Sequence, residues 1–140
     1  MKTKTGLTFV SKTFNYNEDK QTIVCILKGT LNTYSFYNKY NIDIQSNWYK
    51  KKCPELNYAG DFTVIGIATC SNSDTYNEEV GKRIAESRAK VQAYNIAKRF
   101  YSCVADKIQK QLEFIEEKEA ACNLIQVFEK NHVAELIENT

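Results

Sequence analysis

Residues 62–94 read "FTVIGIATCSNSDTYNEEVGKRIAESRAKVQAY". The stretch changes character twice. Nine residues, Phe62 to Cys70, are apolar and β-branched, the signature of a strand. A polar run of small residues follows. From Glu78 onward the apolar positions recur every three or four residues, as on one face of a helix. A strand, a loop and a helix in this order set the frame for the rest of the chain. The short continuous apolar run reads as a central strand of a sheet. Gly66 inside it points to another backbone or a bulky group packing close by. Thr75, Tyr76, Asn77 and Glu78 have the spacing of a capping box, and Glu78 with Glu79 suits the positive end of a helix dipole.

Upstream, "LTFVSKTF" (7–14) and "QTIVCILK" (21–28) flank the turn-forming "NYNEDK" and read as a β-hairpin. Residues 31–59 show no sustained period and are dense in Tyr, Asn and Lys. They read as a long excursion, ended by Pro54 and Gly60, of a length that is often functional. Downstream, Val80, Ile84, Val91, Tyr94, Ala97, Tyr101, Val104, Ile108, Leu112 and Ile115 continue the helical stripe to about Lys118. That predicts a helix about 60 Å long at 1.5 Å per residue. A second helix, about 120–137, carries Leu124, Val127, Phe128, Val133 and Ile137 and is expected to fold back on part of the first. The expected class is α+β in one domain, residues 1–140: an N-terminal antiparallel sheet of a hairpin plus a central strand, then one long and one shorter C-terminal helix. The apolar stripe left over predicts a homodimer.

Bulk properties narrow the chemistry. The 140 residues suit one domain, and a net charge of +2 lacks the strong basic footprint of a duplex-binding protein. No apolar run approaches the ~20 residues of a membrane span, and the N-terminus lacks signal-peptide character, so the reading is cytoplasmic. Five cysteines lie scattered, with no CxxC pair for zinc, and are read as small core residues. The lone His132 reads as a surface or helix-end residue. With no nucleophile beside a base, no carboxylate pair in a motif and no ligand cluster, neither a catalytic residue, a metal site nor a cofactor is assigned.

The helix start is the candidate site. Arg88 shares a face with Ile84 and Val91, beside the small residues Gly81 and Ala85. That face is expected to lie on the sheet or against a subunit. Arg83 stands about 140° round the helix from Arg88. Two readings stay open for Arg88: an internal partner, glutamate or backbone carbonyl, or an anion site. A helix N-terminus offers free N–H groups and a positive dipole, and arginine grips phosphate bidentately. Tyr34, Phe36, Tyr37, Tyr40, Trp48, Tyr49 and Tyr58 in the irregular segment are either a small local core or stacking platforms for a base. A second reading makes segment 34–52, with its "YKKKC", the surface for a protein or nucleic acid in an anti-defence or regulatory module.

The strand, the polar turn and the "GKRIAESRAK" helix together resemble small phage and prophage proteins. With the hairpin before and the helices after, the chain resembles the sponge branch of the Thoeris anti-defence (Tad) family. The resemblance implies a phage protein in the host bacterial cytoplasm that binds a cyclic ADP-ribose isomer made by a TIR-domain enzyme. It holds this cyclic nucleotide second messenger without degrading it and so blocks Thoeris immunity. Cyclic oligonucleotides are a further ligand class. The implied site lies at a dimer interface and is built from an aromatic, an asparagine and arginines. In this sequence those are Phe62, Asn72, Arg83 and Arg88. The implied assembly is a homodimer, extended to a hexamer as a trimer of dimers.

Overall fold

The computed structural model describes residues 4–34, 48–57, 59–69 and 77–140. The chain divides into two units, Met1–Cys103 and Val104–Thr140, which are described in turn.

In the first unit, strand β1 (Leu7–Asn17) pairs antiparallel with β2 (Thr22–Leu31), and β2 pairs antiparallel with β3 (Asp61–Thr69). The hairpin forms where the turn chemistry predicts it. Asn17 accepts the Lys20 N–H through its side chain, and Gln21 takes a positive φ of 47° to close the turn. The sheet order is β1-β2-β3. Among the described residues, β3 is therefore an edge, and the central strand is β2. The apolar run read as a central strand, whereas burial along β3 strictly alternates, as on a strand with one open face. Phe62, Val64, Gly66 and Ala68 face inward, while Ile65 and Ile67 are about half exposed on the open face. Its apolar content reflects an open face that is itself apolar.

Helix α1 (Glu78–Glu138) covers the inner face. Its N-cap is Asn77, whose side chain accepts the Val80 N–H at 3.2 Å. Thr75, the expected capping residue, lies outside the described residues. The residues buried on this part of the helix are Ala85, Ala89, Ala93, Ile96, Ala97, Phe100 and Cys103. Ile84 and Val91, on the face expected to meet the sheet or a subunit, are not on the sheet, and they and Tyr94 are exposed. The reason lies at Gly66, where an added Cβ would collide with the backbone of Ala85 and Ala89. Helix and strand backbones approach so closely that only alanine fits between them. The larger apolar residues are turned away.

The described part of the excursion packs beside this helix. Tyr49, Cys53 and Leu56 are fully buried, and Trp48 stacks on Phe100 at 6.1 Å. Gly60, at φ 87° and with its α-carbon against the Leu31 carbonyl, returns the chain to β3.

The helix does not stop near Lys118. It is one element of 61 residues, so the expected separate second helix is not formed. Residues 117–123, "EKEAACN", contain neither glycine nor proline, and Glu, Lys and Ala are strong helix formers. In the second unit every residue from Gln109 to Thr140 is exposed, including Leu124, Ile125, Phe128 and Ile137. Among the described residues no helix is long and apolar enough to cross a membrane.

Candidate functional site

The first three turns of α1 place Arg83 and Arg88 on solvent-exposed faces. Sequence separation puts them about 140° apart around the axis. They therefore point from different sides of the helix, and among the described residues only Arg88 of the two has a contact with the sheet. Arg88 donates from Nη1 to the Ile67 carbonyl at 2.6 Å, on the β3 side. The β1 side of the helix carries Glu86 and Lys90. Lys12 of β1 pairs with Glu86 at 2.5 Å, and Lys90 lies 5.9 Å from the centre of the Phe9 ring. The hydrogen bond from Lys12 holds the Glu86 carboxyl below its ordinary range.

Of the two partners open to Arg88, a glutamate or a backbone carbonyl, the carbonyl is present. Among the described residues no carboxylate pairs with Arg88 or Arg83, whereas Lys12, Lys82, Lys90 and Arg99 each have one.

The direction of the Ile67 carbonyl follows from the ladder. The Leu31 N–H donates to the Gly60 carbonyl at 2.7 Å, so Gly60 turns its backbone groups toward β2. Backbone groups alternate sides along a strand. Phe62, Val64, Gly66 and Ala68 therefore also face β2, while Thr63, Ile65 and Ile67 point away from the sheet. Arg88 thus caps a carbonyl on the free edge.

Phe62 lies elsewhere. It is 4 % exposed, and its ring packs over Gly29, where an added Cβ would sit 2.8 Å from it. Five residues of strand, about 17 Å, separate it from Ile67. Its outer rim contributes to a groove of about 550 Å³ with Val10, Lys28, Thr30, Asp61 and Thr63. Within one chain, then, Phe62 and Arg88 do not meet. Asn72 lies outside the described residues. Lys28 carries no signal in the sequence, because only the β2–β3 register brings it opposite Thr63 and beside Phe62, whereas Asp61 is Phe62's neighbour in the chain.

The aromatics of the excursion divide. Trp48 and Tyr49 form a small core with Phe100, and the Tyr49 hydroxyl donates to the Asn57 carbonyl at 3.2 Å. Tyr34 is exposed. Phe36, Tyr37, Tyr40 and Tyr58 lie outside the described residues. The clamp that holds this segment was not visible in the sequence. Arg99 grips both oxygens of Glu55, at 2.9 and 3.2 Å, and reaches the Lys52 carbonyl at 2.7 Å. That hydrogen bond draws the Glu55 carboxyl below its ordinary value.

Among the described residues no group of His, Cys, Asp and Glu is placed to hold a metal ion. Cys25, Cys53 and Cys103 are buried free thiols, and burial pushes Cys53 up to about 11. A thiol so far from ionisation is a poor nucleophile. Cys122 is exposed, and Cys70 lies outside the described residues. His132 stands on the exposed part of the helix, 3.8 Å from Glu129. No family model matches the chain, and neither a curated protein nor a solved structure matches it.

Proposed function

We propose that this protein is a non-enzymatic sponge that binds an anionic, cyclic nucleotide-type second messenger at the start of its long helix. The family resemblance supplies the ligand class, a cyclic ADP-ribose isomer, and the biological setting, a phage protein that blocks Thoeris immunity in the host cytoplasm. The observation that carries the reading is the pair Arg83 and Arg88. Both are exposed near a helix N-terminus, and among the described residues neither is neutralised by a carboxylate. Two such uncompensated guanidinium groups favour an anion, which arginine can grip bidentately.

Because the two arginines flank opposite sides of one helix, a compact ligand that touches both draws them from two chains. The same holds for Phe62 and Arg88, since the Ile67 carbonyl that Arg88 caps lies about 17 Å along β3 from Phe62. The sponge reading therefore includes a homodimer, associated further into a trimer of dimers. The bare apolar residues of the helix, among them Leu124, Ile125 and Phe128, are material for such association. The competing reading, a protein or nucleic-acid surface at 34–52, loses two of its rings, since Trp48 and Tyr49 pack against Phe100.

Calorimetric titration with individual cyclic ADP-ribose isomers and cyclic oligonucleotides tests the proposal. At least one should bind and be recovered intact by chromatography after heat denaturation. Arg88→Ala should weaken it by about 2–5 kcal/mol, the range for truncating one member of a desolvated charged pair. No binding by the wild type, or recovery of a converted product, rejects the sponge.

A further inference from the structure

We propose that a second copy of this chain lays its own α1 antiparallel on the outward face of this helix, with Glu116 of one copy clasping Arg88 of the other. From Val80 and Ile84 through Ser87, Val91 and Tyr94 to Ile108, Leu112 and Ile115, the helix keeps alternating steps of four and three residues. That is the heptad spacing of a coiled-coil seam, the a and d positions. Tyr101 and Ala105 fill two further places in it, and only Ser87 and Lys98 are neither aliphatic nor aromatic. The sheet does not use these positions. The residues buried on the helix as far as Phe100 include Ala85, Ala89, Ala93 and Ile96, which fall at b, c and f of the same heptads. The seam is left bare: Val91 is 65 % exposed and Ile115 61 %.

Charge sets the direction and the register. The flanks of a seam decide how two helices pair. A parallel pair brings Arg83 against Arg88 of the second copy, like against like. An antiparallel pair about a two-fold axis level with Cys103 instead sets Val91 opposite Ile115, Tyr94 opposite Leu112 and Tyr101 opposite Ala105. Arg88 and Glu116 of the second copy then border the same two layers on the same side, and the two-fold axis makes this pair twice. Sliding the register by one heptad brings Gln109 or Asn123 to Arg88 instead, and neither is charged. Glu116 is exposed and has no ion pair among the described residues. Arg88 is tied by one hydrogen bond to a neutral carbonyl, and a carboxylate is the stronger acceptor, so the exposed side chain can swing from Ile67 to Glu116. On the other flank Lys90 and Lys118 come level and add no attraction, but Lys90 already has Glu86, and Lys118 lies over the Phe114 ring. This surface does not rest on the ligand reading, although both use Arg88: a ligand phosphate and Glu116 of the second copy compete for one guanidinium.

Sedimentation equilibrium on the full chain, without ligand, tests it. The wild type should be at least dimeric at micromolar concentration. Ile115→Asp puts a charge in the seam at an exposed position, and the dimer dissociation constant should rise at least 100-fold. Should that variant fail to fold, the charge pair decides. Arg88→Glu and Glu116→Arg should each weaken association at least tenfold, and combining them should restore it, which only the antiparallel register allows. A wild-type monomer overturns the proposal. So does a dimer unchanged in Ile115→Asp, or a combined variant no tighter than the singles. Leu124→Asp with Phe128→Asp probes the end of the helix separately: a dimer lost there but unchanged in Ile115→Asp places the contact elsewhere on the helix and removes this one. Failure of the ligand titration leaves each of these outcomes unchanged.

Discussion

Gly66 of β3 lies directly against the backbone of Ala85, so close that the helix leaves no room for a β-carbon on the strand. This contact sets the distance between sheet and helix, and so decides which helical residues can face the sheet. Gly66→Ala should destabilise the protein by about 3 kcal/mol, the upper range for overpacking a tight core. Chemical denaturation followed through Trp48, the sole tryptophan, measures it.

Gly81 tests the other glycine. It sits in the first turns of the helix, its N–H bonded to the Asn77 carbonyl at 2.9 Å. If close approach of a ligand is its role, Gly81→Ala should stabilise the free protein by about 0.5–1 kcal/mol and weaken ligand binding. Melts with and without ligand separate the two effects. A stabilised variant that binds normally would remove Gly81 from the site.

For free Arg88→Ala the expected cost is small, about 0.5–1.5 kcal/mol, since one exposed hydrogen bond to a neutral carbonyl is lost. A loss of 3–5 kcal/mol, typical of breaking a buried ion pair, would mean that Arg88 is chiefly structural. Thermal melts of the unliganded variant give the answer.

The Arg99 clamp should matter more for its segment than a surface pair does. Arg99→Ala loses a bidentate carboxylate and the Lys52 carbonyl. Discounted for the partial exposure of the pair, the cost should be about 1–2 kcal/mol. Because Arg99 depresses the Glu55 carboxyl, this stability is complete above the ordinary carboxylate range, near pH 4.3. It is lost as pH falls through the lower, folded value. The difference in melting temperature between wild type and Glu55→Gln should therefore hold at pH 5–7 and close in more acidic buffer.

Thiol accessibility should follow burial. At pH 7.5 an alkylating reagent should modify Cys122 readily and leave Cys25, Cys53 and Cys103 protected until the protein unfolds. Mass spectrometry of the digested protein reads each site.

Local information determined a good part of this molecule. The hairpin follows from β-branched runs around an Asn-rich turn, the helix from an unbroken 3.6-residue period, and the close backbone approach from a lone glycine in a strand. Each depends on residues near in sequence. Cys25, Cys53, Cys103 and His132 were likewise placed by residue type, whereas Cys122, also read as a core residue, is exposed because nothing among the described residues packs on its part of the helix.

Tertiary structure decided which face of each element meets another. The apolar stripe through Ile84, Arg88 and Val91 is the strongest periodic signal in the helix. Yet the sheet takes the weaker alanine stripe, because the glycine contact admits nothing larger. Edge or centre of a sheet is a matter of pairing partners, which the composition of β3 does not record. The distance between Phe62 and Arg88 is of the same kind. Grouped as motif residues, they are kept apart because Arg88 caps the Ile67 carbonyl, five residues or about 17 Å along β3 from Phe62 at about 3.3 Å per residue.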